Sequence, residues 1–174
     1  KMAEKLQFQN KRIVLGVANI WEERKGLHDF VRLSERLDDA WRIVLVGLSE
    51  QQKSGLPEKI VGLTRTENVA ELAELYTLAD FFVNPTYEDN YPTTNLEALA
   101  CGTPVITYAT GGSPESIDDR CGAVVEQGNI AGLKEVITNG IFSRENCIDA
   151  AQAHDKRICF QKYIELYRRA VKTD

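Results

Sequence analysis

The chain has 174 residues, the size of one domain, and its 43% hydrophobic and 27% charged residues exclude a disordered or fibrous class. With 21 basic against 26 acidic residues the net charge is −5. That excludes a global positive field for collecting nucleic acid or anionic lipid, so any phosphate ligand has to be held by a local site.

Short apolar runs alternate with amphipathic stretches, the pattern of repeated βα units around a parallel sheet. Arg12 to Val17 reads as a first strand. Gly26 to Leu37 follows as a helix, with Leu27, Phe30, Val31, Leu33 and Leu37 near helical spacing. Trp41 to Val46 is the second strand and Ile60 to Leu63 a short third. Val69, Leu72, Ala73, Leu75, Tyr76 and Ala79 mark the next helix, and Phe81 to Val83 is the fourth strand. Thr94 to Cys101 is a helix stopped by Gly102 in an expected left-handed conformation, after which Pro104 to Tyr108 is the fifth strand. Gly122 to Val125 is the sixth. Helices are expected at Ile130 to Thr138, Ser143 to Ala151 and Asp155 to Val171. No repeat or linker interrupts the series. The fold class is therefore α/β, a single Rossmann-like doubly wound parallel sheet of about six strands, with a core over about 12–138 and a helical tail over about 141–172.

Open α/β sheets bind ligands at the carboxyl ends of their strands. The informative loops are Ala18 to Lys25, Gly47 onward, Thr64-Arg65, Pro85 to Asn95 and Ala109 to Glu115. They offer the cations Arg24, Lys25 and Arg65, the acids Glu88, Asp89 and Glu97, and the Gly111-Gly112 turn. Each has a plain structural reading as well. Arg24 and Lys25 read as surface charge, yet cations are disfavoured at the positive start of a helix, and a bound anion would account for them. Glu97, among Leu96, Ala98, Leu99 and Ala100, is either a solvated or capping residue or a partly buried acid for hydroxyl recognition. Gly111-Gly112 suits any tight turn, and Thr93 or Thr94 reads as an N-cap. His28, Trp21 and Trp41 are assigned to structure alone.

The cysteines Cys101, Cys121, Cys147 and Cys159 have no CxxC pair and no zinc-ligand spacing. They are expected as reduced core thiols, which suggests a cytosolic protein. No run of about 18 apolar residues and no signal-peptide pattern is present. The opening Lys1-Met2-Ala3 reads as a boundary within a longer protein. GxGxxG, GxxxxGK[ST], HExxH and GxSxG are all absent, which removes the dinucleotide, P-loop, zincin and hydrolase readings. The residues alone point to a phosphate-plus-hydroxyl ligand at a Rossmann-type edge.

Pro85 to Ile106, PTYEDNYPTTNLEALACGTPVI, resembles the acid-x7-acid region of group 1 (family GT4) glycosyltransferases. It is flanked in matching order by Arg24-Lys25-Gly26, by Glu74-Leu75-Tyr76 with Ala79-Asp80, and by Thr110-Gly111-Gly112-Ser113-Pro114-Glu115. The resemblance covers about 12–138, and the tail Tyr163-Ile164-Glu165-Leu166-Tyr167 is similar to that family's end.

What the resemblance implies is one half of a two-domain GT-B enzyme, the nucleotide-sugar-binding domain of a retaining hexosyltransferase for cell-surface polysaccharide or glycoconjugate, with the acceptor domain absent from this chain. Lys25 would contact the diphosphate, Gly111 and Gly112 would lie close to the donor, Glu97 would hold ribose hydroxyls, and Ile60 to Arg65 would border the base. The first acid would contact the sugar. Counting eight back from Glu97 gives Asp89, with Glu88 nine back, so spacing favours Asp89 and leaves Glu88 as the other candidate. Asn19 stands where the family usually has an arginine, a place Arg24 or another cation would have to fill. The expected catalytic set is thus Lys25, Asp89 and Glu97, with Asn19, Arg24, Thr64, Arg65, Glu88, Gly111 and Gly112 as supporting donor-binding positions. No cofactor and no metal are expected, since the nucleoside-diphosphate sugar is a substrate. The expected partners are that donor and a sugar or lipid-linked acceptor, not nucleic acid, with a cytoplasmic location at the inner face of the membrane. A sucrose-synthase-like or phosphorylase-like GT-B enzyme and a degenerate, non-catalytic nucleotide-binding domain are the alternatives. A flavodoxin-like receiver is disfavoured, because Ala18-Asn19-Ile20 replaces the acids it needs.

Overall fold

β-branched and aromatic residues dominate the short apolar runs, and all six runs become strands of one parallel sheet in the computed structural model, which describes residues 10–171. The strands are β1 (Arg12–Val17), β2 (Trp41–Val46), β3 (Ile60–Leu63), β4 (Phe81–Asn84), β5 (Val105–Tyr108) and β6 (Gly122–Val125), in the order β3-β2-β1-β4-β5-β6. The order reverses between β1 and β4. Those two strands share only two register pairs, Val14 with Phe81 and Leu15 with Phe82, whereas β1 and β2 are paired along all six residues.

Near-continuous apolar runs are required because both faces of the sheet are covered. On one face Val14, Ile43, Leu45, Val83 and Ile106 pack with Phe30 and Leu33 of α1 (Leu27–Ser34) and Leu133 and Ile137 of α5 (Ile130–Asn139). On the other, Ile13, Leu15, Val44, Phe82 and Val105 meet Leu75 and Tyr76 of α3 (Val69–Leu78), Ala98 and Leu99 of α4 (Thr93–Ala100), and Cys147 of α6 (Arg144–Gln152). Burying each such aliphatic or aromatic side chain is worth about 1.5–3 kcal/mol. The doubly wound α/β class expected from the sequence is the one observed.

Departures from the expected elements are local. A short helix, α2 (Glu50–Ser54), had not been expected although its start is written out: the Ser49 side chain accepts from the Gln52 amide while the Gln52 side chain accepts from the Ser49 amide. The expected helix from Gly26 to Leu37 is divided. Glu23–Lys25 forms a 3-10 turn, Gly26 takes the left-handed conformation at φ +74°, and the α-helix ends at Ser34. Thr93 and Thr94 are the first residues inside α4 rather than its cap. Pro92 holds the cap position, and no side chain caps that end. Gly102 is left-handed, at φ +76°. All four cysteines are free, but only Cys121 and Cys147 are buried, so core thiols describes two of the four.

The last helix, α7 (Lys156–Val171), buries none of its residues, and Phe160, Tyr163, Leu166 and Tyr167 are more than half exposed. Among the described residues no helix is long and apolar enough to cross a membrane.

Candidate functional site

The reversal between β1 and β4 leaves the loops after these strands diverging, and an open cleft lies between them, lined by Val17 to Glu22, Arg24 and Lys25 on one side and by Val83, Asn84, Asp89 and Tyr91 to Thr94 on the other. This is where a doubly wound sheet presents a ligand site.

Gly26 sets one wall. A β-carbon at its position would collide with the carbonyl oxygen of Pro85, so only glycine lets the loop after β1 lie against the loop after β4. Once together, the loops are tied by backbone. The Tyr87 amide donates to the Arg24 carbonyl at 2.7 Å, and the Thr86 hydroxyl reaches the carbonyls of Arg24 and Glu88 at 3.2 and 3.0 Å. Lys25 is thereby brought to Asp89, 64 residues away, and Nζ donates to Oδ2 at 2.6 Å. The side chains are 22% and 17% exposed, neither solvated nor sealed.

Both cations have protein partners. Arg24 Nε donates to Glu22 at 2.8 Å, and its terminal nitrogen donates to the Glu88 carbonyl at 3.2 Å. Acids of the chain thus supply counter-charge to both cations at this helix start. Of the two neighbouring acids, Asp89 lines the cleft, whereas Glu88 is exposed and offers Arg24 only its backbone.

Gly111 and Gly112 do not line the cleft. They support it from behind, where β-carbons would strike the carbonyls of Asp89 and Asn90, and Gly111 is left-handed at φ +49°. The Gly112 amide donates to the Asp89 carbonyl at 3.3 Å. Asn19 lines the cleft and is exposed. Thr64 and Arg65 are exposed beyond the end of edge strand β3 and do not line it.

Glu97 lies one turn into α4, in a neighbouring groove shared with Thr93, Ile148, His154 and Asp155. It is exposed rather than partly buried, and it accepts the Tyr76 hydroxyl at 2.9 Å. Burial, reinforced by that carboxylate, pushes the Tyr76 hydroxyl far above the ordinary tyrosine range. The tyrosine is thus a fixed donor, and it orients Glu97.

Sequence reasoning missed several residues. Trp21 was assigned to packing and does pack edge-on against Phe30, with its indole donating to the Val46 carbonyl at 2.9 Å, but it also lines the cleft. Tyr91 lines it too, and its hydroxyl meets His154 Nδ1 at 2.9 Å, which ties the cleft loop to the turn between α6 and α7. Behind the cleft Asp29, 1% exposed, accepts the hydroxyls of Tyr87 and Tyr108 on one oxygen at 2.7 and 2.9 Å. Hydrogen bonding to that carboxylate and burial raise the Tyr87 hydroxyl, and burial followed by the Asp29 bond raises Tyr108. A buried amide pair completes the frame. Asn84 donates to Asn95 at 2.9 Å, and Asn95 donates to Ser116 at 3.1 Å. Among the described residues no group of three or more His, Cys, Asp or Glu could hold a metal ion.

Chemically the cleft combines two cations, their partner carboxylates Glu22 and Asp89, and the uncapped start of α4 at Thr93 and Thr94, where the helix end carries partial positive charge. These features suit an anion joined to a hydroxyl-bearing group.

Comparison with known proteins agrees with the fold and adds a family. The sequence profile of the family described as glycosyl transferases group 1 matches residues 11–141. A relative named N,N'-diacetylbacillosaminyl-diphospho-undecaprenol alpha-1,3-N-acetylgalactosaminyltransferase, from Campylobacter jejuni, is 27% identical over 179 residues, covering 96% of this chain and 47% of that protein. The alpha-galactosylglucosyldiacylglycerol synthase of Streptococcus pneumoniae is 34% identical over 107 residues, 56% of this chain and 28% of the relative. Among solved structures, a Rickettsia africae glycosyltransferase superposes with a TM-score of 0.81 at 20% identity, covering 99% of this chain and 52% of that one. Anabaena HepE in complex with UDP-glucose does so at 0.76 and 18%, covering 99% and 52%. The chain thus spans about half the length, or less, of the proteins it matches, and the solved neighbours are GT-B glycosyltransferases.

Proposed function

Because this chain belongs to the group 1 glycosyltransferases, we propose that the cleft between β1 and β4 is the donor site for a nucleoside-diphosphate sugar and that the full-length protein transfers that sugar with retention of configuration. The observation that carries this reading is the Lys25–Asp89 pair, held at the reversal of strand order beside the uncapped start of α4. A diphosphate seated there meets a point charge and a helix end, and the attached sugar meets a carboxylate. Both positive features are fixed before reaction. They therefore stabilise the charge that collects on the leaving diphosphate without reorganising. Glu97, oriented by Tyr76, receives ribose hydroxyls, and Asp89 rather than Glu88 receives the sugar. Arg24 stands in for the arginine that Asn19 replaces.

In this reading the chain is a donor domain, with the acceptor bound by a second domain of the full-length protein. The Campylobacter relative's name carries a diphospho-undecaprenol-linked sugar, and the Streptococcus relative's a glycosylated diacylglycerol. A lipid-linked acceptor for glycoconjugate synthesis, met at the inner face of the membrane by a cytoplasmic enzyme, is the corresponding proposal here. Metal is not assigned a role, since Lys25, Arg24 and the helix end supply the positive charge.

Calorimetry with UDP, GDP and ADP tests the site. At least one is expected to bind, and Lys25→Ala is expected to weaken that diphosphate by about 1.5–3 kcal/mol while leaving the bare nucleoside nearly unchanged. Equal losses for both ligands would move Lys25 away from the phosphates.

A further inference from the structure

The Lys25–Asp89 pair satisfies both charges within the chain. A diphosphate that settles on Lys25 must therefore either share it with Asp89, setting like charges together in a partly covered cleft, or displace Asp89 and leave a carboxylate without its cation. Nothing else in the cleft replaces that partner. Its other cation, Arg24, is held by Glu22 and by the Glu88 carbonyl. The backbone at Asp89 is held in place as well. Its own carbonyl lies against Gly111 and accepts the Gly112 amide, and the preceding carbonyl is held by Thr86 and Arg24.

A sugar on the diphosphate changes this balance, because its hydroxyls donate to a carboxylate and restore the partner that the phosphate removes. Resting on the donor-site reading above, we infer that Asp89 is a specificity-determining residue that sets the loaded donor apart from the spent nucleoside diphosphate. The ion pair opposes a bare diphosphate, and only a sugar-bearing one offsets that opposition. After transfer the hydroxyls depart with the sugar, Asp89 returns to Lys25, and the spent diphosphate is driven out.

The test is Asp89→Asn, which removes the charge and keeps the shape, measured by calorimetry with UDP, GDP and ADP, their nucleosides, and UDP-glucose, UDP-N-acetylgalactosamine, GDP-mannose and ADP-glucose. The diphosphate that binds the unaltered chain is expected to bind the variant about three- to tenfold more tightly, between the worth of an exposed and a desolvated ion pair. Its nucleoside is expected to be unaffected, and its sugar conjugates are expected to tighten less or to weaken. Lys25→Ala combined with Asp89→Asn removes the gain. Asp89→Ala, which offers no amide, repeats the measurement without a new hydrogen bond. Unchanged or weaker diphosphate binding in a variant with an unaltered melting curve would overturn the inference, as would equal tightening of diphosphate and all conjugates. In either case the donor-site reading stands. If no nucleotide binds the unaltered chain or the variant, the donor-site reading fails, and the inference with it.

Discussion

Asp29 shows how a single side chain supports the cleft without lining it. The carboxylate sits in the first turn of α1, three residues after the Gly26 turn, and holds Tyr87 of the cleft loop and Tyr108 of β5 on the same oxygen. Asp29→Ala would leave two hydroxyls without an acceptor and is expected to cost about 1–3 kcal/mol in denaturant unfolding. Tyr108→Phe, which leaves Tyr87 and Arg32 on the carboxylate, is expected to cost less. Equal losses would show that the carboxylate acts through Tyr108 alone. Glu97→Gln is a functional counterpart. It keeps the shape but removes the charged acceptor, and is expected to weaken nucleoside diphosphate and nucleotide sugar alike by about 1.5–3 kcal/mol, read by calorimetry. Loss confined to the sugar conjugate would take Glu97 off the ribose. The residues proposed as ligands could be nominated from sequence because they stand in a local pattern, KG after one strand and acids before and within one helix. Asp29, Tyr91 and His154 could not, since their partners lie 58, 63 and 79 residues away and nothing local marks them.

Elements were more legible than their joints. The six strands follow directly from apolar runs, of which the four central ones, β2, β1, β4 and β5, are buried on both faces. The joints depended on geometry that composition does not express: a left-handed Gly26 pressed on Pro85, and an uncapped α4 starting one residue earlier than expected. Two joints give predictions. Gly26→Ala faces both the collision and the backbone penalty, and is expected to lower the melting temperature and abolish diphosphate binding together. Binding that survives in a stable Gly26→Ala protein would show that Lys25 does not need this loop contact. The packing of α6 on α4 rests partly on Cys147, fully covered, whose thiol burial pushes up to about 11 from an ordinary 9.0. Its folded form binds the proton more tightly, so the stability it contributes is complete below pH about 9 and declines as pH rises toward about 11. Cys147→Ala is expected to flatten that decline in melting temperature, and an unchanged slope would assign it to other groups.

For the molecule as a whole, the proposal is half an enzyme. The chain by itself is expected to bind a nucleoside diphosphate and to transfer no sugar, since the proposed acceptor site is not on it. Appreciable turnover in a donor-consumption assay with the isolated chain would overturn the two-domain reading. Chelation with EDTA is expected to leave nucleotide binding unchanged, and its loss would reveal a metal that Lys25, Arg24 and the helix end do not replace. The β1–β4 seam has a dynamic consequence. It carries the fewest register pairs in the sheet, two, and it joins the part of the chain before β4 to the part after it. A ligand held by Lys25 on one side and by the start of α4 on the other would act as a clasp across that seam. Hydrogen–deuterium exchange should therefore slow most on ligand binding at the amides of β1 and β4, well below the residues the ligand touches, while the amides of α7, which buries none of its residues, go on exchanging at their free rate.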